Sequence, residues 1–174
     1  MITIISGTNR EQSLSKTISL YYQHLLNNHG VESQVLDLRE LPHDFIQTAL
    51  YGNSGKNQAF NEMQALIDLS QKFVFVVPEY NGSYPGVLKA FVDGLKHQTS
   101  FSRKKGALVG VATGVQGGAT AISHFGDVLS YMGMDLVGLR IKLSRIHDHL
   151  SDGKITLPIY NQMLETQIER LIAL

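Results

Sequence analysis

Residues able to do chemistry gather in three short stretches of this chain. The first is Ser6-Gly7-Thr8-Asn9-Arg10-Glu11-Gln12-Ser13-Leu14-Ser15. Ser6, Thr8 and Ser13 offer hydroxyls, and Arg10 offers a planar fork of donors suited to phosphate. A helix starting just beyond adds free backbone N–H groups and a positive dipole end. Several charge-assisted hydrogen bonds, each worth roughly 1.5–3 kcal/mol, would anchor an anion there. The same residues also make an ordinary helix cap with a surface arginine. Neither Gly-x-Gly-x-x-Gly nor a Walker-type loop is present.

The second stretch, Pro78-Glu79-Tyr80-Asn81-Gly82-Ser83-Tyr84-Pro85-Gly86, interleaves prolines and glycines with hydrogen-bonding side chains. It is too long and too rich in such groups for a plain connector, although Asn81-Gly82 alone reads as a turn. The third, Thr113-Gly114-Val115-Gln116-Gly117-Gly118, lets backbone approach a ligand closely, because glycine has no side chain to hold it off. A simple turn has the same composition. His147-Asp148-His149 contains metal-ligand types, but adjacent loop residues rarely converge alone and no further ligand pattern accompanies them.

Each of the three stretches follows an apolar, strand-like run. Residues 1–5 are β-branched and nearly all apolar, as in a strand covered on both faces. Residues 73–77 and 107–112 read the same way. Leu14, Ile18, Tyr21 and Leu25 repeat at helical spacing after the first stretch, and Gly30 closes that helix. A second strand over 33–38 completes a βαβ unit, which is normally right-handed and parallel. Residues 39–55 are irregular, ending in a glycine-rich segment at 51–55 that reads as a mobile loop. Ala59, Met63, Leu66 and Ile67 fit a second helix, and a third begins after Pro85. A fourth helix over 119–132, a fifth strand over 135–143, a polar loop over 147–154 and a last helix opened by Pro158 complete the chain.

Five strands alternating with five helices imply an open parallel sheet with helices on both faces. In such sheets ligands sit beyond the carboxyl ends of the strands, where strand order reverses. The order 2-1-3-4-5 would place the three loops side by side, though periodicity alone does not choose between it and other doubly wound orders. The 174 residues are read as a single domain, 1–174.

Composition narrows the function. Lysine plus arginine balances aspartate plus glutamate at 15 each, which argues against nucleic acid or an anionic membrane as the partner. There is no cysteine, so disulfides, thiolate nucleophiles and Cys-ligated metals are excluded. No basic-then-apolar leader is evident and the apolar runs are strand-sized. A soluble, cytoplasmic protein is expected.

The middle stretch, extended as Pro78-Glu79-Tyr80-Asn81-Gly82-Ser83-Tyr84-Pro85-Gly86-Val87-Leu88-Lys89, resembles the signature of the NADPH-dependent FMN reductase family. That family includes azoreductase-like, quinone-reductase-like and chromate-reductase-like flavoproteins. Gly7 to Ser13 resembles its phosphate loop, and Thr113 to Gly118 its third loop. The chain departs from the family's usual residues at Leu14 and at Ala90. The resemblance implies a flavodoxin-like three-layer α/β sandwich with a five-stranded parallel sheet in the order 2-1-3-4-5, and FMN as cofactor. The phosphate would rest on Thr8, Arg10, Ser13 and Ser15. Pro78, Glu79, Tyr80, Asn81 and Gly82 would run along the ring, and Thr113, Gly114 and Gly117 would close the other side.

The implied chemistry belongs to the cofactor. NADPH or NADH would pass hydride to flavin N5 and leave, and a quinone, azo compound, free flavin or similar small acceptor would follow. No side-chain general base is required, and Glu79 is expected to position its loop. Arg103-Lys104-Lys105 is read as a solvated turn or as an attractor for the extra phosphate of NADPH. The family's habit implies a homodimer or homotetramer. Tyr84 and Phe101 would line that interface or sit in the monomer's own core. The rival readings are a non-enzymatic flavodoxin-like electron carrier and a flavin-binding regulator. Neutral charge and Arg10 argue against the carrier.

Overall fold

A computed structural model describes residues 1–97 and 99–174. The parallel sheet contains β1 (Ile2–Ser6), β2 (Ser33–Asp37), β3 (Lys72–Pro78), β4 (Lys105–Val111), β5 (Asp135–Leu136) and β6 (Ile141–Leu143). Its order is β2-β1-β3-β4-β5, with β6 also paired to β4. The doubly wound order expected from the sequence is therefore present. Ser6, the last residue of β1, pairs with Val76, so β3 runs on two residues further to Pro78.

Helices cover both faces because the strands alternate two apolar sets. Phe73, Phe75 and Val77 point to one side, against α3 (Gln58–Leu69), α4 (Gly86–Gly94) and α5 (Ala119–Tyr131). Val74 and Val76 point to the other, against α1 (Leu14–Asn28) and α6 (Pro158–Ala173). Phe101 is fully buried, edge-on to Phe73 and Phe75, and Tyr84 packs on Phe125. Phe101 thus belongs to the monomer's core, and Tyr84 is half-buried against it.

Three segments differ from the sequence expectation. The single fifth strand is split into β5 and β6, with Val137 to Arg140 between them. At the gap the buried Gln167 replaces strand pairing: its Nε2 donates to the Leu108 carbonyl at 3.0 Å and the Leu139 carbonyl at 2.6 Å. Its Oε1 accepts from the Tyr22 hydroxyl at 3.2 Å, and burial of Tyr22 pushes that phenol's pKa up. Residues 39–55, with Leu38, hold short regular pieces. They form two 3₁₀ turns and the short α2 (Phe45–Thr48), anchored by the buried Leu38, Leu41, Phe45, Ala49 and Leu50. The expected polar loop at 147–154 instead contains a hairpin of β7 (Leu150–Ser151) and β8 (Lys154–Ile155). Asp152 (φ 48°) and Gly153 (φ 75°) form its two-residue turn.

Candidate functional site

The carboxyl ends of β1, β3 and β4 open onto a cleft of about 210 Å³. Thr8, Arg10, Ser13, Ser15, Pro78, Glu79, Tyr80 and Thr113 all line it, together with Gln12, Leu14, Val111 and Ala112. Residues far apart in sequence meet here because adjacent parallel strands deliver them to the same edge.

The floor is the start of α1. Ser13 is its N-cap, and its Oγ accepts from the Lys16 N–H at 3.2 Å. That bond uses a lone pair and leaves the hydroxyl proton free to donate. Ser15, the second residue of the helix, is 1% exposed, and its Oγ has no protein partner. A buried hydroxyl without a partner costs about 1–3 kcal/mol. Here it stands beside helix N–H groups and the exposed Arg10, which enters no ion pair among the described residues. The donors therefore outnumber the acceptors at this end, and a phosphate, which only accepts, fits them.

The middle loop forms one wall. The Glu79 N–H donates to the Val111 carbonyl at 3.1 Å and fixes the loop to the end of β4. Tyr80 and Ser83 exchange two backbone hydrogen bonds, of 2.8 and 3.1 Å, around Asn81 (φ 51°) and Gly82 (φ 77°). Those angles define a tight turn that only Asn, Asp or Gly enters at low cost. The Glu79 carboxylate accepts from the Gly82 N–H at 3.0 Å, so its contact is with its own loop. Asn81 and Gly82 are exposed at the turn's tip, outside the cleft lining. On the far flank, Ser83 Oγ and His124 Nδ1 lie 3.0 Å apart, tying the turn to α5. Tyr80 reaches back across the cleft, where its hydroxyl meets Thr8 Oγ1 at 2.6 Å.

The third loop closes the cleft differently. Thr113 lines it, whereas Gly114 and Gly117 do not. Gly117 (φ 59°) is pressed on the end of β6 and on Ser144 beyond it. A Cβ there would stand 2.8 Å from the Lys142 carbonyl carbon and 2.9 Å from the Ser144 nitrogen. The Arg145 N–H donates to the Gly114 carbonyl at 3.1 Å, and Ser144 Oγ donates to the Val115 carbonyl at 2.7 Å.

Gln12 was absent from the sequence-derived set. It lines the cleft through a left-handed backbone (φ 48°) for which a glutamine gives no local signal. The basic run at 103–105 lies at the other end of β4, about 20 Å from the cleft at roughly 3.3 Å per residue. Lys104 is buried there, its Nζ donating to the Ile67 carbonyl at 2.7 Å, and desolvation lowers its pKa. Lys105 pairs with Asp135 at 2.5 Å. Neither is a solvated attractor for a cofactor phosphate. His147 and Asp148 pair with each other at 3.0 Å. Among the described residues no three His, Asp or Glu side chains converge on a metal-sized site.

Sheet order and helix placement define a flavodoxin-like α/β protein, and the donors at the start of α1 line a cleft at the carboxyl end of its sheet. A sequence model of the NADPH-dependent FMN reductases matches residues 1–145, and the chain belongs to that family. It is an FMN-dependent NAD(P)H oxidoreductase. A 2-hydroxy-1,4-benzoquinone reductase from a Burkholderia species is 39% identical over 139 residues, spanning 78% of this chain and 73% of the relative. An FMN-dependent NADPH-azoreductase from Staphylococcus aureus is 27% identical over 156 residues, spanning 86% and 77%. A flavoenzyme NAD(P)H:(acceptor) oxidoreductase from Paracoccus denitrificans superposes with a TM-score of 0.79 at 22% identity, over 99% of this chain and 94% of that one, and shares the fold.

Proposed function

We propose that this reductase acts on small flat acceptors of the quinone type, with FMN held by the cleft at the ends of β1, β3 and β4. The observation that carries the cofactor site is the buried, partnerless Ser15 hydroxyl beside Arg10 at the start of α1. Thr8, Arg10, Ser13 and Ser15 bind the phosphate. Pro78, Glu79 and Tyr80 flank the ring through a loop braced by its own Glu79, and Asn81 and Gly82 shape the turn at its tip. Thr113 bounds the opposite side, and Gly114 and Gly117 hold its loop in place. When bound, FMN supplies the two-electron carrier between nicotinamide and acceptor. The protein orients that carrier and leaves one side open to successive flat partners.

The quinone class rests on the relative that is 39% identical, and an azo compound is the second acceptor. The protein works as a homodimer or homotetramer in the cytoplasm. A groove of about 940 Å³ between α4 and α5, lined in part by Val92, Leu95, Val128 and the exposed Tyr131, is available to such an assembly. No described helix is long and apolar enough to cross a membrane.

The test is turnover by purified, FMN-loaded protein with NADH or NADPH, offered a benzoquinone or an azo dye. Quinone-dependent nicotinamide oxidation exceeding the azo rate supports the reading. Bound FMN without turnover on either acceptor would overturn it.

A further inference from the structure

The contact between Tyr80 and Thr8 joins the two ends of the cleft. Tyr80 belongs to the loop after β3, and Thr8 to the loop after β1. Their oxygens are 2.6 Å apart, and Thr8 is 1% exposed. Thr8 Oγ1 also accepts from the Arg10 N–H at 3.3 Å.

Counting protons gives this pair a direction. A threonine hydroxyl has one proton and two lone pairs, and a phenol has one proton. One Thr8 lone pair is taken by the Arg10 N–H. The bond between the two hydroxyls uses one of their two protons, whichever group donates it. The other proton has no acceptor among the described residues, and both groups line the cleft. If Tyr80 donates, both Thr8 lone pairs are filled, and Thr8 can only donate to whatever enters. The pair is therefore a source of one further donor at the anion end, and an acceptor-only ligand completes it.

We propose that Tyr80 is a positioning residue for the phosphate: its hydroxyl fixes Thr8 as a donor and links phosphate occupancy to the setting of the ring-side loop. This rests on the assignment of the cleft to FMN. It implies that the loop after β3, whose sequence marks it as the ring's wall, also contributes to discrimination between phosphorylated and unphosphorylated flavin. Removing the phenolic oxygen leaves the wall in place, but frees Thr8 to turn its proton elsewhere.

The experiment is a set of fluorescence titrations of apoprotein with FMN and with riboflavin, for wild type, Tyr80→Phe, Thr8→Val and the double variant. Tyr80→Phe should weaken FMN about tenfold while changing riboflavin by less than about twofold. In the Thr8→Val background the same change should alter FMN affinity by less than about twofold, because the coupling is already gone. Equal weakening of both flavins would overturn the proposal, since it would place the effect on the ring side alone. Unchanged FMN affinity, or full additivity of the two substitutions, would overturn it as well. A wild-type protein that binds riboflavin as tightly as FMN would instead remove the phosphate assignment on which the proposal stands. Melting temperatures of the four proteins separate these outcomes from loss of fold.

Discussion

The loops after β1 and β4 read alike in sequence, yet the fold uses them in opposite ways. Each is a run of small and hydroxyl residues leaving an apolar strand and entering a helix. In the loop after β1, hydrogen-bonding capacity is left over: Ser15 Oγ has no partner, Ser13 keeps a proton, and Arg10 is exposed without an ion pair among the described residues. In the loop after β4 it is the carbonyls that are engaged. The carbonyls of Gly114 and Val115 are bound by Arg145 and Ser144, and Gly117 is buried against the end of β6. Surplus donors mark a place for a ligand, while satisfied carbonyls mark a brace. The small residues of the third loop therefore serve close packing of protein on protein, with Thr113 alone among its proposed contacts turned to the cleft.

This contrast can be broken by substitution. The largest effect is expected at Gly117→Ala. Left-handed strain of about 1–2 kcal/mol adds to the crowding of a Cβ at 2.8 Å from backbone, for a total loss of about 2–4 kcal/mol in denaturant unfolding. The loss should appear equally with and without saturating FMN if Gly117 is a brace; a stability unchanged from wild type would show that the loop yields. Arg10→Ala should leave stability within about 0.5 kcal/mol and weaken FMN about tenfold or more, read by fluorescence titration. Unaltered affinity would remove Arg10 from the phosphate site.

Smaller effects sharpen the comparison. Asn81→Leu places a branched side chain at φ 51° and should cost about 1–2 kcal/mol of stability, whereas Asn81→Gly should be nearly neutral. If Leu and Gly behaved alike in thermal melts, the side chain and not the backbone would be what matters there. Ser15→Ala should reduce FMN affinity severalfold with no loss of apoprotein stability, because it deletes a buried hydroxyl that has no partner. A destabilised apoprotein would mean that Ser15 has an internal partner after all.

Much of the architecture was readable from the chain because the signals were local, as helical spacing or unbroken apolar runs. Phe73 to Val77 and Ala107 to Val111 are apolar throughout, as strands buried on both faces must be. The break between β5 and β6 was not readable, since it depends on Gln167 arriving from a helix about 30 residues later to bind Leu108 and Leu139. In a helical pattern that glutamine looks like any polar position. The hairpin at 150–155 did carry a signal, the Asp152-Gly153 pair, which is the commonest two-residue turn chemistry, but its strands are only two residues each. At the site, residue types located the cleft because strand ends bring them together. They did not separate Asn81, which shapes a turn, from Tyr80, which faces the cleft, because that depends on backbone angle alone.

The central claim is that the cleft's unspent donors are there for a phosphate. It is tested most directly by comparing FMN with riboflavin on the unmodified apoprotein, by fluorescence titration under one salt condition. With at least two charge-assisted contacts at stake, FMN should bind about a hundredfold more tightly or better. Equal affinities for the two flavins would contradict it.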